Sequence, residues 1–202
     1  MYSTRPNLVL GFHGCDRSVA EAVVCGRERL QPSENDYDWL GHGVYFWENN
    51  PDRALEYALY RREHPLEGAA RIADPFILGA VLGLGHSLDL LESGSLALVS
   101  AAYDALSEAA GEIGAPLPQN KGGHDIRVRC LDCAVIEALH EMIRGSGEPG
   151  FDSVRGVFTE GEELYPNAGF HRKDHIQICL RNPNCIKGYF LPLVQDDGYP
   201  LV

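Results

Sequence analysis

The arrangement of apolar and polar residues predicts short strands towards both ends of the chain and longer helices between them. Strands are predicted over residues 9–12, 44–47, 76–84, 154–158 and 176–180. In the last segment, Ile176, Ile178 and Leu180 alternate with two other residues. Because neighbours along a strand point to opposite faces, Gln177 and Cys179 are expected on the other face of the sheet.

Helical periodicity marks four further segments, which are residues 18–24, 53–62, 96–110 and 131–143. Ser18 is followed by Glu21 at the spacing of a capping box, so Ser18 is predicted to cap the first helix, and Gly26 to end it. The segments 114–124 and 159–174 are rich in turn-forming residues and predict loops. Together these elements predict one α+β domain over residues 1–202.

Composition and charge narrow the class of protein. The chain has 202 residues, a formal net charge of -12 and 45% hydrophobic residues, which suits one domain with a substantial core. The acidic balance disfavours binding along a phosphate backbone. The first ten residues hold no long apolar run, and no segment reaches the roughly 18 apolar residues of a membrane span. We therefore expect a cytoplasmic protein without a membrane partner.

The six cysteines include one C-x-x-C motif, formed by Cys130 and Cys133. A second pair at the spacing of a zinc site is missing from the sequence, and apolar residues surround the motif. Ordinary packing on a helix, with no bound metal, is the expectation for these thiols.

Three polar or aromatic residues occupy positions where chemistry is common. His13 follows an apolar strand and precedes Gly14, Tyr45 stands in a strand behind a Gly-x-Gly turn, and Gln177 interrupts an apolar strand. Each has an ordinary structural interpretation. A histidine at a strand end is often a hydrogen-bonded structural residue, a strand tyrosine usually packs, and a lone glutamine usually faces water.

The contexts of these residues form four motifs in a fixed order. The motifs are His13-Gly14, then Gly41-His42-Gly43-Val44-Tyr45-Phe46 with Tyr57, then Ser153-Val154-Arg155-Gly156, and last His175-Ile176-Gln177-Ile178-Cys179 with Asn182-Pro183. They resemble the catalytic domain of the poly(ADP-ribose) polymerases and the diphtheria-toxin-like ADP-ribosyltransferases. The resemblance covers residues 8–60 and 150–192, and the chain also looks similar to a group of bacterial proteins. It implies an ADP-ribosyltransferase-like fold with split antiparallel sheets and a helical insert at about 75–145.

The resemblance also implies NAD as a co-substrate, with His13, Tyr45 and Gln177 as the catalytic triad. Tyr45 and Tyr57 would sandwich the cationic nicotinamide ring by stacking and cation–π attraction. The backbone of Gly14 would pair with the carboxamide, because glycine allows close approach to the main chain.

Three further positions bear on the predicted NAD pocket. Cys15 stands where the family often has serine, and Ala54 stands where the polymerases have a serine that bonds the carboxamide. Arg29, like Arg27, would meet the pyrophosphate or adenine, or would be an ordinary surface arginine. The pocket would therefore contain one polar contact fewer than in the polymerases.

Gln177 departs from the family, which usually has a glutamate there. A glutamine can accept the same ribose hydrogen bond, but it supplies a dipole where the family supplies a charge. Three interpretations follow: Gln177 orients the ribose and a reactive acceptor makes up the deficit, or the site binds NAD without turning it over, or an acid replaces the glutamate from the loop 159–174, which contacts the acceptor in the family. The candidate acids are Glu160, Glu162 and Glu163. Chain-elongating polymerase activity is the least expected, because that activity accompanies the glutamate.

The resulting expectation is a mono-ADP-ribosyltransferase that modifies a macromolecular target, as a bacterial toxin or defence effector. The alternatives are an NAD glycohydrolase, a catalytically weak module that binds NAD or ADP-ribose, and a plain interaction protein. The sequence leaves open the acceptor, the oligomeric state and whether a cognate inhibitor protein accompanies the enzyme.

Overall fold

A seven-stranded sheet forms the frame of the chain in the computed structural model, which describes residues 8–66, 68, 70–122, 128–194 and 198. The strands are β1 (Val9–Asp16), β2 (Val44–Glu48), β3 (Pro75–Leu82), β4 (Ser87–Asp89), β5 (Asn120–Lys121), β6 (Val128–Arg129), β7 (Ser153–Phe158), β8 (His175–Leu180) and β9 (Ile186–Phe190). The large sheet has the order β4-β7-β8-β2-β1-β3-β9, and β5 pairs with β6 separately. The β4–β7 junction is parallel, and the other junctions in this sheet are antiparallel.

Four helices cover the two faces of this sheet. They are α1 (Arg17–Val24), α2 (Pro51–Glu63), α3 (Ser93–Glu112) and α4 (Cys130–Ser146). On one face, α4 packs Ile136 and Leu139 against the β7 and β8 residues Val154 and Cys179. On the same face, α2 buries Ala54 against β1 and β2. The opposite face holds the cluster around Phe46, and α1 packs beside it.

The junction between β1 and β2 is short, although both strands lie at the centre of the sheet. β1 pairs with β3 over eight residues, from Val9 opposite Leu82 to Asp16 opposite Pro75. Its pairing with β2 covers two positions, Gly11 opposite Glu48 and Phe12 opposite Trp47. The two strands therefore separate at His13, directly beyond the second pair.

The Ser-Val-Arg-Gly motif on β7 makes contacts that hold the strands of the sheet together. The hydroxyl of Ser153 donates to the carbonyl oxygen of Leu84 over 2.7 Å. The buried guanidinium of Arg155 donates from Nη2 to Glu48 on β2 over 2.9 Å and from Nη1 to Asp89 on β4. A Cβ atom at Gly156 would lie 2.8 Å from the ring of Trp39. All three conspicuous positions of this motif therefore hold the sheet together.

The α+β class predicted from the sequence is confirmed by this mixed architecture, with its large and mostly antiparallel sheet. The segment 75–145, expected as a helical insert, contributes β3 and β4 to the sheet as well as two helices. β4 and β9 were not predicted. None of the helices in the described part of the chain is long and apolar enough to cross a membrane.

The predicted start of the first helix was wrong. Asp16, not Ser18, is the N-cap, and its carboxylate accepts from the Ser18 backbone N–H over 3.0 Å. The same carboxylate accepts the backbone N–H groups of Ala73 and Asp74. A carboxylate that satisfies donors from two segments holds α1 to the chain that leads into β3, so it outcompetes the hydroxyl two residues later.

Candidate functional site

His13 lies in the gap where β1 and β2 separate. Its Nδ1 is 2.8 Å from the backbone carbonyl oxygen of Tyr45. A carbonyl only accepts hydrogen bonds, so Nδ1 carries the proton and Nε2 presents a lone pair. Burial lowers the pKa of His13, and the ring is therefore neutral at physiological pH. The half-buried imidazole is thus fixed in one tautomer, with a hydrogen-bond acceptor to offer.

Gly14 is the point at which α2 comes closest to the sheet. A Cβ atom at this position would lie 2.1 Å from the carbonyl oxygen of Ala54 and 3.3 Å from the Cβ of Ala58. Both alanines are fully buried. Only glycine permits this approach of helix to strand, and the main chain beside His13 is left without a side chain.

Cys15 points away from α2. It packs with Ala20, Val23 and Leu78 on the face covered by α1. Burial, reinforced by the charge of Asp16, raises the pKa of the Cys15 thiol to about 11. The thiol therefore stays protonated and is a packing group rather than a nucleophile.

Tyr45 uses its hydroxyl within the protein. The oxygen accepts from the backbone N–H of Leu40 over 3.0 Å and donates to the carbonyl oxygen of Gly41 over 2.8 Å. Gly41 adopts a φ of 80°, which only glycine adopts without strain. The half-buried ring packs against the cluster that contains Trp39 and Cys179. Tyr45 therefore ties the Gly-x-Gly turn to β2 and shapes the wall of the gap.

Gln177 lies on β8 directly opposite Trp47 of β2. Its Oε1 accepts from Trp39 Nε1 over 2.6 Å. The guanidinium of Arg129 lies over the Trp39 ring, 4.3 Å from the ring centroid. No partner for the Gln177 Nε2 group occurs among the described residues. The amide is thus oriented by Trp39, with its carbonyl fixed and its NH2 group available.

The three predicted catalytic residues therefore lie on three neighbouring strands, in the order β8, β2, β1. Their side chains do not share one face. Gln177 pairs with Trp47, and Tyr45 lies two residues before Trp47, so both lie on the face that carries α2 and α4. The His13 ring lies beside Phe46, at a centroid distance of 5.9 Å, on the opposite face. The gap between β1 and β2 is what brings the imidazole to Tyr45.

Tyr57 on α2 is 41% exposed. Its aromatic neighbour is Trp47, at a centroid distance of 5.1 Å, rather than Tyr45. Arg61 lies 5.9 Å above the same ring. Trp47 of β2, rather than Tyr45, is therefore the ring that contacts Tyr57. Tyr45 and Trp47 lie on the face of the sheet that carries α2.

Arg29 is exposed in the segment that follows α1. The pKa of Tyr189 is raised by burial, and the nearby charge of Arg29 partly offsets this rise. Arg29 makes no ion pair within the described part of the chain. It is a free surface cation near β9, on the side of β3 away from the gap.

A group of buried polar atoms beside Gln177 was not predicted from the sequence. Trp47 Nε1, Arg53 Nε and His175 Nε2 are buried and have no hydrogen-bond partner among the described residues. The Nδ1 of His175 donates to the Lys173 carbonyl oxygen, which leaves Nε2 as an acceptor. Nothing in the order of residues signals this group, because its members come from β2, α2 and β8.

The acids of the loop 159–174 are placed differently from one another. Glu160 accepts from Arg53 Nη2 over 2.6 Å, and both side chains are mostly buried. Glu162 and Glu163 are exposed. Of these three acids Glu160 is therefore the most buried, and Arg53 holds its carboxylate against α2.

The C-x-x-C motif lies at the start of α4. Cys133 is buried, and its thiol donates to the Asn35 carbonyl oxygen over 3.5 Å. Burial is the main cause that raises the pKa of Cys133 to about 12. Across the described residues, no group of three His, Cys, Asp or Glu side chains is arranged to hold a metal ion.

Comparison with known proteins adds a distant similarity to this geometry. The chain is 26% identical over 193 residues to a protein of Methanocaldococcus jannaschii described as uncharacterized protein MJ0359. The alignment covers 87% of this chain and 83% of that protein. No family model matches the chain, and no solved structure matches it. Any function must therefore be argued from the site itself.

Proposed function

We propose that the protein is a mono-ADP-ribosyltransferase that uses NAD as co-substrate and modifies a macromolecular target. One observation carries the proposal: β1 and β2 separate at His13, which the Tyr45 carbonyl holds with Nε2 as a free acceptor. A neutral imidazole with a fixed tautomer suits recognition of a ribose hydroxyl, which must donate. The four sequence motifs that resemble ADP-ribosyltransferases lie on or next to the neighbouring strands β7, β8, β2 and β1.

The roles of the residues follow from their contacts. His13 accepts a ribose hydroxyl, and the main chain at Gly14 receives the nicotinamide carboxamide. The partly exposed ring of Tyr57 stacks on the nicotinamide ring, whose positive charge favours an aromatic neighbour. Gln177 offers its NH2 group to the ribose. Tyr45 acts through the Gly-x-Gly turn, which its hydroxyl fixes.

The proposed reaction breaks the bond between the nicotinamide nitrogen and C1′ of the ribose, and nicotinamide leaves as a neutral molecule. A nucleophile on the acceptor forms the new bond to C1′ and releases its proton to water. Positive charge develops on the sugar, and dipoles held in a dry site can stabilise it. The amide of Gln177 on β8 stabilises this charge less than the family's glutamate would. An acceptor with a reactive nucleophile therefore suits this site.

Two measurements test the proposal. NAD labelled in its adenylate part is added to a host lysate with the purified chain, and labelled macromolecules are identified. Nicotinamide released from unlabelled NAD is measured in parallel without lysate. Lysate-dependent transfer of label supports the proposal. Steady release of nicotinamide without any acceptor identifies a glycohydrolase instead. If NAD binds and stays intact, with no transfer of label and no release of nicotinamide, the proposed enzymatic activity is overturned.

The contact between Gln177 and Trp39 favours a second candidate, a catalytically weak module that binds NAD or ADP-ribose. The carbonyl oxygen of Gln177, which replaces the carboxylate of the family, already accepts from Trp39. It therefore contributes little negative potential to a cationic sugar. In this case NAD raises the melting temperature and is recovered unchanged.

A further inference from the structure

A cleft of about 220 Å³ lies between the N-terminus of α3 and the C-terminal end of α4. Leu98, Ile143 and Phe151 form apolar walls, and His86 stands against the Phe151 ring at a centroid distance of 4.5 Å. Ligand pockets for larger molecules span about 300–1,000 Å³. This cleft therefore suits a small molecule or a single long side chain, and it lies away from the gap at His13.

The polar groups of the cleft are acceptors or hydroxyls. The Nδ1 of His86 donates to the Gly150 carbonyl oxygen over 3.1 Å, which leaves Nε2 with a lone pair. Ser95 is 5% exposed, lines the cleft and has no hydrogen bond to any described residue. The Ser95 hydroxyl can therefore accept a hydrogen bond from a ligand donor in the cleft. No lysine or arginine lines the cleft.

Two carboxylates give the cleft its charge. Glu92 and Glu148 line it, and neither forms an ion pair with another described residue. Glu92 is the N-cap residue of α3, but its side chain makes no capping hydrogen bond. The helix terminus carries about half a positive charge, which two full negative charges exceed. The local field therefore favours a cation.

We propose that this cleft binds an organic cation, a guanidinium or ammonium group on a short aliphatic stem. The stem packs on Leu98 and Ile143, the cationic head lies against the Phe151 ring, and its N–H groups donate to Ser95, His86 and the two carboxylates. Cation–π attraction and burial of the stem both contribute to binding. The cation comes either from a free amine or from a lysine or arginine side chain of a partner polypeptide.

The site is tested by titrating the full chain with four probes of similar size: butylguanidinium, butylammonium, neutral butanol and anionic butyrate. The readout is the NMR shift of the Phe151 and His86 ring protons. We expect the two cations to bind, and added salt to weaken their binding. Replacing both carboxylates, as Glu92→Gln with Glu148→Gln, should weaken cation binding about fivefold to tenfold. Butyrate should not bind.

Glu112→Gln is the matched control, because Glu112 is an exposed carboxylate at the far end of the same helix. It should leave cation binding unchanged. A glycine-flanked arginine peptide that binds at least as tightly as butylguanidinium identifies a polypeptide as the source, and weaker binding identifies a free amine. The proposal is overturned if butanol shifts the rings as much as the cations do, or if the double variant binds cations as well as the parent. These results do not depend on whether the chain uses NAD.

Discussion

The imidazole of His13 bridges the gap between two central strands, because its Nδ1 lies 2.8 Å from the carbonyl oxygen of Tyr45. This contact stands where the next pair of the ladder between β1 and β2 would be. It satisfies a backbone acceptor that the separation of the strands exposes. The same contact sets the tautomer of His13, so one hydrogen bond both supports the sheet and prepares the proposed site.

Replacing His13 by alanine should therefore affect stability and NAD binding together. We expect His13→Ala to lower the free energy of unfolding by about 1–3 kcal/mol, because a half-buried carbonyl loses its donor. We also expect the increase in melting temperature caused by NAD to disappear. Urea unfolding measures the first effect, and thermal melts with and without NAD measure the second.

The control for this variant is His64→Ala. The exposed His64 also bonds through Nδ1 to a backbone carbonyl oxygen, that of Tyr60. Its replacement should change stability by no more than about 0.5 kcal/mol and leave the NAD effect intact. An unchanged NAD effect in His13→Ala would separate His13 from the binding site.

The close contact between Gly14 and α2 predicts a large steric effect. In Gly14→Ala, the added methyl group would lie 2.1 Å from the carbonyl oxygen of Ala54, so the helix must move or the strand must shift. We expect a loss of about 3 kcal/mol or more in the free energy of unfolding, measured by urea denaturation.

Gly111→Ala provides the matched comparison for that substitution. Gly111 lies within α3, and a Cβ atom there meets nothing within 4 Å. Alanine has the higher helix propensity, so this variant should gain about 0.5–1 kcal/mol. If both variants change stability alike, the approach of α2 to β1 is not as close as the structure has it.

Much of the frame could be predicted from the sequence because its signals are local. The alternation around Gln177 predicted the two faces of β8: Gln177 and Cys179 pair with Trp47 and Tyr45 on one face, and Ile178 and Leu180 lie in the apolar cluster on the other. Two central strands, β2 and β8, have nearly the predicted bounds. Short edge elements were missed, because the three residues of β4 carry too little periodicity to predict a strand.

The partners of the site residues could not be predicted, because they depend on contacts between distant segments. Trp39 and Gln177 are 138 residues apart in sequence, yet they share a hydrogen bond. The place where β1 and β2 separate depends on the register of the sheet, which the sequence of either strand does not reveal. For the same reason the unpartnered nitrogens of Trp47 and His175 had no signal in the sequence.

Gln177→Glu tests the proposed chemistry directly. A carboxylate at this position keeps the acceptor for Trp39 Nε1 and adds a negative charge beside the proposed ribose site. We expect nicotinamide release from NAD to increase by about two orders of magnitude, since charge stabilisation in a dry site contributes a few kcal/mol. The measurement is the steady-state rate at saturating NAD.

Gln31→Glu is the control for an added charge, because Gln31 lies exposed in the segment after α1. It should leave the rate of nicotinamide release unchanged. If Gln177→Glu binds NAD as the parent does and still shows no gain, then Gln177 does not face the ribose. The binding-module alternative would survive that result, and the transferase geometry would not.

The buried histidines make stability depend on pH in a defined direction. Burial lowers the pKa of His13, His140 and His175 in the folded chain. The unfolded chain therefore takes up protons first, at about pH 6.5 and below. Stability contributed by the neutral rings is complete above that value and is lost as pH falls towards the lowered values of the folded state. The loss reaches about 1.4 kcal/mol per pH unit for each histidine.

His140 isolates one of these contributions, because it lies on α4 outside the proposed site. The ring is 6% exposed, Nδ1 bonds to the Ile136 carbonyl oxygen, and Nε2 has no partner among the described residues. Phenylalanine fills a similar volume without an ionisable group. Urea unfolding from about pH 7 to about pH 5 should therefore give His140→Phe a pH slope that is smaller than that of the parent by up to about 1.4 kcal/mol per unit. Identical slopes would mean that His140 takes up its proton over the same pH range in the folded and unfolded chains, against the burial that the structure gives it.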